Sequence, residues 1–197
     1  GEVLLRVTAR AGSEAEAETL MAPVIARIRD AVGEYIYGID VPGLEYAALE
    51  LLKSRGLTLA TAESCTGGLI AKRITDIPGS SGVFAGGVVS YTNAVKAAAL
   101  GVPQALLDEF GAVSEPVARA MAEGARRVMK TDLAVSTTGV AGPDSDERGN
   151  PVGTVFVALA SESGTVCRAL RCGGDRERVR LTAANNAFDM LIKRLHG

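Results

Sequence analysis

From residue 44 onward the chain alternates two periodicities, and that alternation restricts its fold more than any single residue does. Leu44 to Arg55 repeats apolar residues at helical spacing (Leu44, Ala47, Ala48, Leu51, Leu52) and stops at Gly56. Leu57 to Ala62 reads as a strand, 66–76 as a helix stopped by Pro78-Gly79, and 84–91 as a strand with Gly86-Gly87 near its start. Asn93 to Leu100 is an alanine-rich helix closed by Gly101. Pro103 to Phe110 is a shorter helix, and a longer one opens at Ser114-Glu115-Pro116 and runs to Lys130. Leu133 to Thr138 reads as a strand and 139–153 as a polar loop. Thr154 to Ala160 and Thr165 to Arg171 pair as a hairpin, and Asp175 caps a final helix to Arg194. Strands separated by helices pack as an α/β fold. The sheet is expected to be mostly parallel, with helices on both faces and one antiparallel hairpin.

The start of the chain is different. Residues 3–9 (VLLRVTA) read as a strand. Ser13 caps a helix whose Glu14, Glu16 and Glu18 suit a positive helix start, and Leu20, Val24, Ile28 and Val32 recur along one face. Tyr35-Ile36-Tyr37 reads as a second short strand. The stretch Asp40-Val41-Pro42-Gly43 breaks both periods, so the boundary is set there: a small β-α-β domain at 1–41 and the main domain at 42–197. The first segment holds four basic and seven acidic residues, whereas the whole chain has 21 basic against 23 acidic and a net charge of −2. Neither balance attracts nucleic acid or an anionic bilayer. No apolar run approaches the roughly 18 residues of a membrane span, so a cytoplasmic protein with no membrane partner is expected. The opening Gly1-Glu2-Val3, without Met or a signal-like region, reads as the cut edge of a longer parent.

Composition narrows the chemistry. The single histidine is His196, next to the C-terminus, which disfavours Ser-His-Asp, Cys-His and histidine-rich zinc arrangements. Cys65, Cys167 and Cys172 contain no CxxC pair and read as reduced thiols. In open α/β sheets ligands gather at the carboxyl ends of strands, and three such ends stand out. At Ala62-Glu63-Ser64-Cys65-Thr66-Gly67-Gly68, small polar residues and two glycines start a helix. Ser64 there is either a nucleophile on a tight turn or part of an ordinary cap. Cys65, beside a helix start, is a rival nucleophile. At Val89-Ser90-Tyr91-Thr92-Asn93, Tyr91 is either a rim residue or a functional phenol, and Thr92 or Asn93 caps the next helix. At Ser136-Thr137-Thr138-Gly139-Val140-Ala141-Gly142, hydroxyls run into a glycine loop that suits a phosphate or small polar ligand. Asp144, Asp146 and Glu147 invite a calcium reading. However, Arg148 and Val155 would then stand where oxygen ligands are required, so no metal is expected.

Taken together, ESCTGG, VVSYTN and STTGVAGPD resemble the CinA family, specifically its C-terminal domain, and the resemblance runs through 44–195. It includes GAVSEPVA at 111–118, PVGTVFVA at 151–158 and GDR at 174–176. Residues 1–38 resemble the KH-like linking domain of longer CinA proteins. The resemblance implies a nicotinamide mononucleotide (NMN) deamidase, which hydrolyses the carboxamide to nicotinic acid mononucleotide and ammonia without a cofactor. It also implies a partner in the preceding nucleotide-hydrolase domain of the longer proteins, where a metal-dependent ADP-ribose pyrophosphatase activity is placed. The family's proposed catalytic residues fall on Ser64, Tyr91 and Thr138. Substrate binding falls to Thr66, Gly67, Gly68, Gly139 and Gly142, with the two glycine loops competing for the 5′-phosphate. A homodimer is a further expectation from the family.

On this reading Ser64 attacks the carboxamide, Tyr91 accepts or relays its proton, and Thr138 relays the proton or holds the tetrahedral intermediate. An ordinary tyrosine, with a pKa near ~10, needs a cationic neighbour to do so, and Lys72 and Lys96 are the candidates. One of Arg176, Arg178 and Arg180 is a candidate for the phosphate. The competing reading is a non-catalytic nucleotide- or nucleic-acid-binding module. A KH clamp needs a GxxG loop, and Gly1, Gly12, Gly33 and Gly38 do not supply that spacing, so nucleic acid is disfavoured.

Overall fold

A computed structural model describes residues 2–196. Helix α1 (Glu14–Val32) precedes the main body. There, strands β1 (Leu59–Glu63), β2 (Phe84–Val89), β3 (Leu133–Gly139), β4 (Thr154–Ser161) and β5 (Gly164–Arg171) form one sheet in the order β2-β1-β3-β4-β5. β1 pairs in parallel with β2 and β3, β4 is antiparallel to β3, and β5 is antiparallel to β4. Four strands therefore point one way and β4 alone points back, which is the mostly parallel sheet with a hairpin that the pattern predicts. β1 is buried at every position and β3 at all but its last, because helices cover both faces. The edge strands β2 and β5 alternate between more and less buried residues.

Helices α2 (Leu44–Arg55), α3 (Leu69–Thr75) and α7 (Arg176–His196) cover one face. Leu49, Leu52, Ile70, Ile74, Phe188 and Leu191 pack there against Val155, Val157 and Leu159. On the other face lie α4 (Asn93–Leu100), α5 (Gln104–Phe110) and α6 (Glu115–Met129), with Leu100, Leu107, Val117 and Met121 over Ala60, Ala62 and Ala134. Alanines on the sheet let α6 sit close, and Ala118 and Ala122 meet Ala158 and Ala160 in the same way. The chain leaves β1 over the α3 face to reach β2. It returns over the α6 face to β3, on the other side of β1. That reversal opens a crevice at the carboxyl end of β1.

The small β-α-β piece is the point of disagreement. Ser13 caps α1 as expected, its hydroxyl accepting from Glu16 N. Residues 3–9 form no strand, and 33–35 make a single 3-10 turn in place of the strand read at Tyr35-Ile36-Tyr37. A strand needs a hydrogen-bonded partner, and an isolated strand pair is marginal in water even when formed. Here Val3 and Leu4 are each 80% exposed, and α1 buries no residue. The segment is instead tied to the start of α2. The Glu2 carboxylate accepts from Tyr37 Oη at 2.9 Å and from Leu44 N at 3.0 Å, which helps push the Tyr37 phenol, already raised by burial, up to about 12.

The closest packing on the α6 side generates a test. A Cβ built on Gly124 would stand 2.1 Å from the Leu100 carbonyl oxygen at the end of α4, whereas one on Gly33 meets nothing within 4 Å. Gly124→Ala is expected to destabilise the fold by about 1–3 kcal/mol in thermal or denaturant unfolding, with Gly33→Ala close to wild type. Equal stability of the two variants would contradict this packing.

Candidate active site

Three chain segments converge at the carboxyl end of β1. The first runs on from β1 itself. Ser64 N donates to Thr137 O at 2.9 Å, and a tight turn follows in which Gly67 N donates to Ser64 O. Gly67 and Gly68 have φ of 60° and 92°, a region that favours glycine, so the pair is required for the turn. The Glu63 carboxylate, 1% exposed, reaches forward and accepts from Ile70 N at 3.0 Å and Ala71 N at 2.8 Å. It caps α3 from the preceding strand. Thr66 Oγ1 shares a 2.7 Å hydrogen bond with Thr137 Oγ1 and is fully buried, so its hydroxyl faces β3.

The second segment is the end of β2 and the start of α4. Thr92 caps α4, and Lys96 closes its first turn. Lys96 is 1% exposed. Its Nζ donates to Ser64 Oγ at 3.1 Å, Ser90 O at 2.9 Å and Tyr91 O at 3.5 Å. Burial pushes its pKa below the ordinary lysine value. The positive end of α4 acts in the same direction. The Ser90 hydroxyl is buried and has no hydrogen-bond partner among the described residues.

The third segment is the end of β3. Ser136 Oγ donates to Ala118 O and Thr138 Oγ1 to Ala112 O, both at 2.6 Å, so these hydroxyls tie the strand to the α5–α6 side. Beyond them, the Gly142 carbonyl accepts from Arg176 Nη1 at 2.7 Å. Arg176 Nη2 donates at 3.0 Å to the phenol of Tyr91, a residue 57% exposed at the mouth of the crevice. Arg180 Nη2 donates to Thr66 O at 2.7 Å. Asp146 accepts from Arg148 N and from Asn150 N and Nδ2, stiffening the loop before β4.

The residues read from the sequence thus cluster here, with Ser64 at the centre. The side chain that touches it is Lys96. Lys72 lies on the surface, paired with Asp76 at 2.6 Å. The Cys65 thiol is buried and pushed up to about 12, mainly by burial, so it is not a thiolate at neutral pH. Glu63 was not singled out from the sequence. Its signal is a charged residue closing a strand that otherwise carries no charge.

Among known families, residues 43–195 match the one described as the CinA C-terminal domain. Residues 1–38 match the one described as the damage-inducible protein CinA KH domain. A putative competence-damage inducible protein of Caldanaerobacter subterraneus is 47% identical over 197 residues, all of this chain and 48% of that protein. A CinA-like protein of Geobacter sulfurreducens is 49% identical over 194 residues, 98% of this chain and 46% of that protein. The chain spans about half the length of the curated relatives it matches. Among solved structures, the competence/damage inducible protein CihA from Agrobacterium tumefaciens gives a TM-score of 0.74 at 40% identity, covering 78% of this chain and 94% of that one. A CinA superfamily protein from Klebsiella pneumoniae gives 0.76 at 32% identity, covering 78% and 96%.

Lys96 makes a pH prediction that needs no substrate. Its folded pKa lies below the ordinary 10.5. At a pH below the folded value both states hold the proton, and burying the charge costs its full penalty. As pH rises through the folded value towards 10.5, the native state releases its proton first and stability recovers. The Tm of wild type relative to Lys96→Met is therefore expected to climb between neutral pH and about pH 10. A difference that stays flat with pH would contradict the lowered value.

Proposed function

The chain belongs to the CinA family, and from that premise we propose that it hydrolyses the carboxamide of NMN, with Ser64 as nucleophile and Lys96 as its base. The observation that carries the reading is the 3.1 Å contact between Lys96 Nζ and Ser64 Oγ in a nearly dry setting. A serine hydroxyl is a weak nucleophile until a neighbouring base takes its proton. A lysine serves as that base when it is neutral, and burial together with the α4 terminus favours the neutral amine. Two of its hydrogens then rest on the Ser90 and Tyr91 carbonyls, which aims the lone pair at Ser64.

In the proposed sequence Ser64 Oγ bonds to the carboxamide carbon as its proton passes to Lys96 Nζ. The oxyanion formed is held by backbone N–H groups of the Cys65–Gly68 turn, worth ~3–4 kcal/mol for a well-placed donor. When the carbon–nitrogen bond breaks, Lys96 returns the proton to the departing nitrogen, which leaves as ammonia. Water then attacks the acyl-serine, giving its proton to Lys96. Lys96 passes that proton to Ser64 Oγ as the acyl–oxygen bond breaks, which restores Ser64 and releases nicotinic acid mononucleotide. Tyr91 contributes its carbonyl to the lysine and its phenol to the mouth of the crevice. Thr66, Gly67, Gly68, Thr138, Gly139 and Gly142 remain the residues proposed to hold the substrate, although the Thr66 and Thr138 hydroxyls are spent on Thr137 and on the Ala112 carbonyl. In this assignment Lys96, read from the sequence as a candidate cationic neighbour, takes the proton that the sequence reading passes to Tyr91.

The test is ammonia release from NMN, with and without EDTA. Release is expected to persist in EDTA, to vanish in Ser64→Ala and to fall about 10²–10⁴-fold in Lys96→Met. In wild type kcat is expected to rise with pH along a limb whose midpoint lies below 10.5, since the neutral amine is the active form. Wild-type turnover by Ser64→Ala would sink the mechanism.

A further inference from the structure

We infer that the Ser90 hydroxyl receives the departing nitrogen of the carboxamide, and so sets a preference for a primary amide over an ester. The inference rests on the amide-hydrolase reading above and adds a residue that the Ser64–Lys96 pair leaves unused. Buried hydroxyls almost always have a partner. Ser90 is 0% exposed, and its Oγ has none among the described residues. Its backbone, by contrast, is engaged on both sides. Ser90 N donates to Glu63 O at 2.8 Å, and Ser90 O accepts from Lys96 Nζ at 2.9 Å. The residue is held in place while its hydroxyl stays free.

The strand register locates that hydroxyl. Ala62 of β1 pairs with Val88 of β2, and both pack on the face covered by α4 and α6. Side chains return to the same face at every second residue. The Ser90 N to Glu63 O bond carries the parallel ladder past its last paired residues. Ser64 and Ser90 therefore follow as neighbours on that face. Lys96 reaches both from it, through the Oγ of Ser64 and the carbonyl of Ser90. Thr61, the other buried hydroxyl without a partner, stands on the opposite face of β1 with Glu63.

Neighbouring strands lie ~4.8 Å apart. That spacing is too wide for two hydroxyls to bond each other, which takes about 2.5–3.0 Å. It admits one heavy atom between them. Once Ser64 Oγ has bonded to the carboxamide carbon, the nitrogen on that carbon is such an atom. In the planar amide its lone pair is delocalised into the carbonyl, and in the tetrahedral intermediate it is localised and basic. Ser90 Oγ accepts one of the two N–H hydrogens, which turns the lone pair towards the Lys96 ammonium. The nitrogen takes the Lys96 proton as the carbon–nitrogen bond breaks, the bonding pair leaves with it, and ammonia departs from acyl-Ser64 and a neutral Lys96. Positive charge grows on the nitrogen during this step, so the N–H to Oγ bond strengthens in the transition state. An ester has no hydrogen on its departing oxygen, and Ser90 gains nothing there.

The experiment compares NMN with the methyl ester of nicotinic acid mononucleotide in wild type, Ser90→Ala and Ser90→Thr, beside thermal unfolding of each. The readout is the ratio of kcat/KM for amide and ester. It is expected to fall at least about tenfold in Ser90→Ala, the loss of one hydrogen bond to a charged group, through kcat for NMN rather than KM. The Tm of Ser90→Ala is expected not to fall, because the variant removes a buried hydroxyl that has no partner. Ser90→Thr, which keeps the hydroxyl, is expected to retain most of the ratio. If Ser90 only shaped the end of β2, both substrates would lose rate together. An unchanged ratio therefore overturns the inference and leaves the amide-hydrolase reading intact. A wild type that releases no ammonia from NMN overturns both, since no nitrogen then departs.

Discussion

The buried Lys96 amine governs the architecture around it. Taking an ammonium out of water is expensive unless each hydrogen finds a partner, and a lone buried charge neutralises instead. Both conditions act on the local fold. Two carbonyls must point inward where β2 ends, so the chain at Ser90 and Tyr91 turns before Thr92 can cap α4. The third partner is Ser64, so the ends of β1 and β2 must stay adjacent. The Ser90 N to Glu63 O hydrogen bond, at 2.8 Å, holds them there. The same constraint that makes the amine tolerable in the interior places it against the Ser64 hydroxyl.

Glu63 plays the complementary part. A carboxylate buried at a helix start is stabilised by backbone donors and by the dipole. It fixes α3 to the strand that carries Ser64 and takes up donors on which an incoming anion would otherwise compete. With Thr66 Oγ1 held by Thr137 and Thr66 O held by Arg180, the turn after Ser64 is anchored on three sides. In the proposed mechanism, a turn so fixed keeps the Ser64 geometry as charge develops, which is where preorganisation matters.

Much of this was legible in the sequence because the main body obeys its local signals. Helix α4 begins and ends at the residues that its alanine run and Gly101 mark. The strand–helix alternation gives the sheet, its hairpin and the crevice. Ser64 stands out through the two glycines that its turn needs. Lys96 is harder to read, since a single lysine in an alanine-rich helix looks like a solvated residue. The available signal is that it shares a helical face with Leu100, four residues on, and both are buried. The first forty residues mislead for the opposite reason. VLLRVTA has the composition of a strand, but composition does not supply a hydrogen-bonded neighbour. Without one the segment forms no strand and stays largely exposed, held through Glu2.

Tyr91 shows why a residue type can matter at two ends at once. Its carbonyl belongs to the lysine and its phenol to Arg176. A phenylalanine would keep the first contact and lose the second. The side chain is rigid beyond its two torsions, so it sets the spacing between the amine and the guanidinium. Its exposure and its hydrogen bond from Arg176 suit a spacer, and the side chain in contact with Ser64 is Lys96.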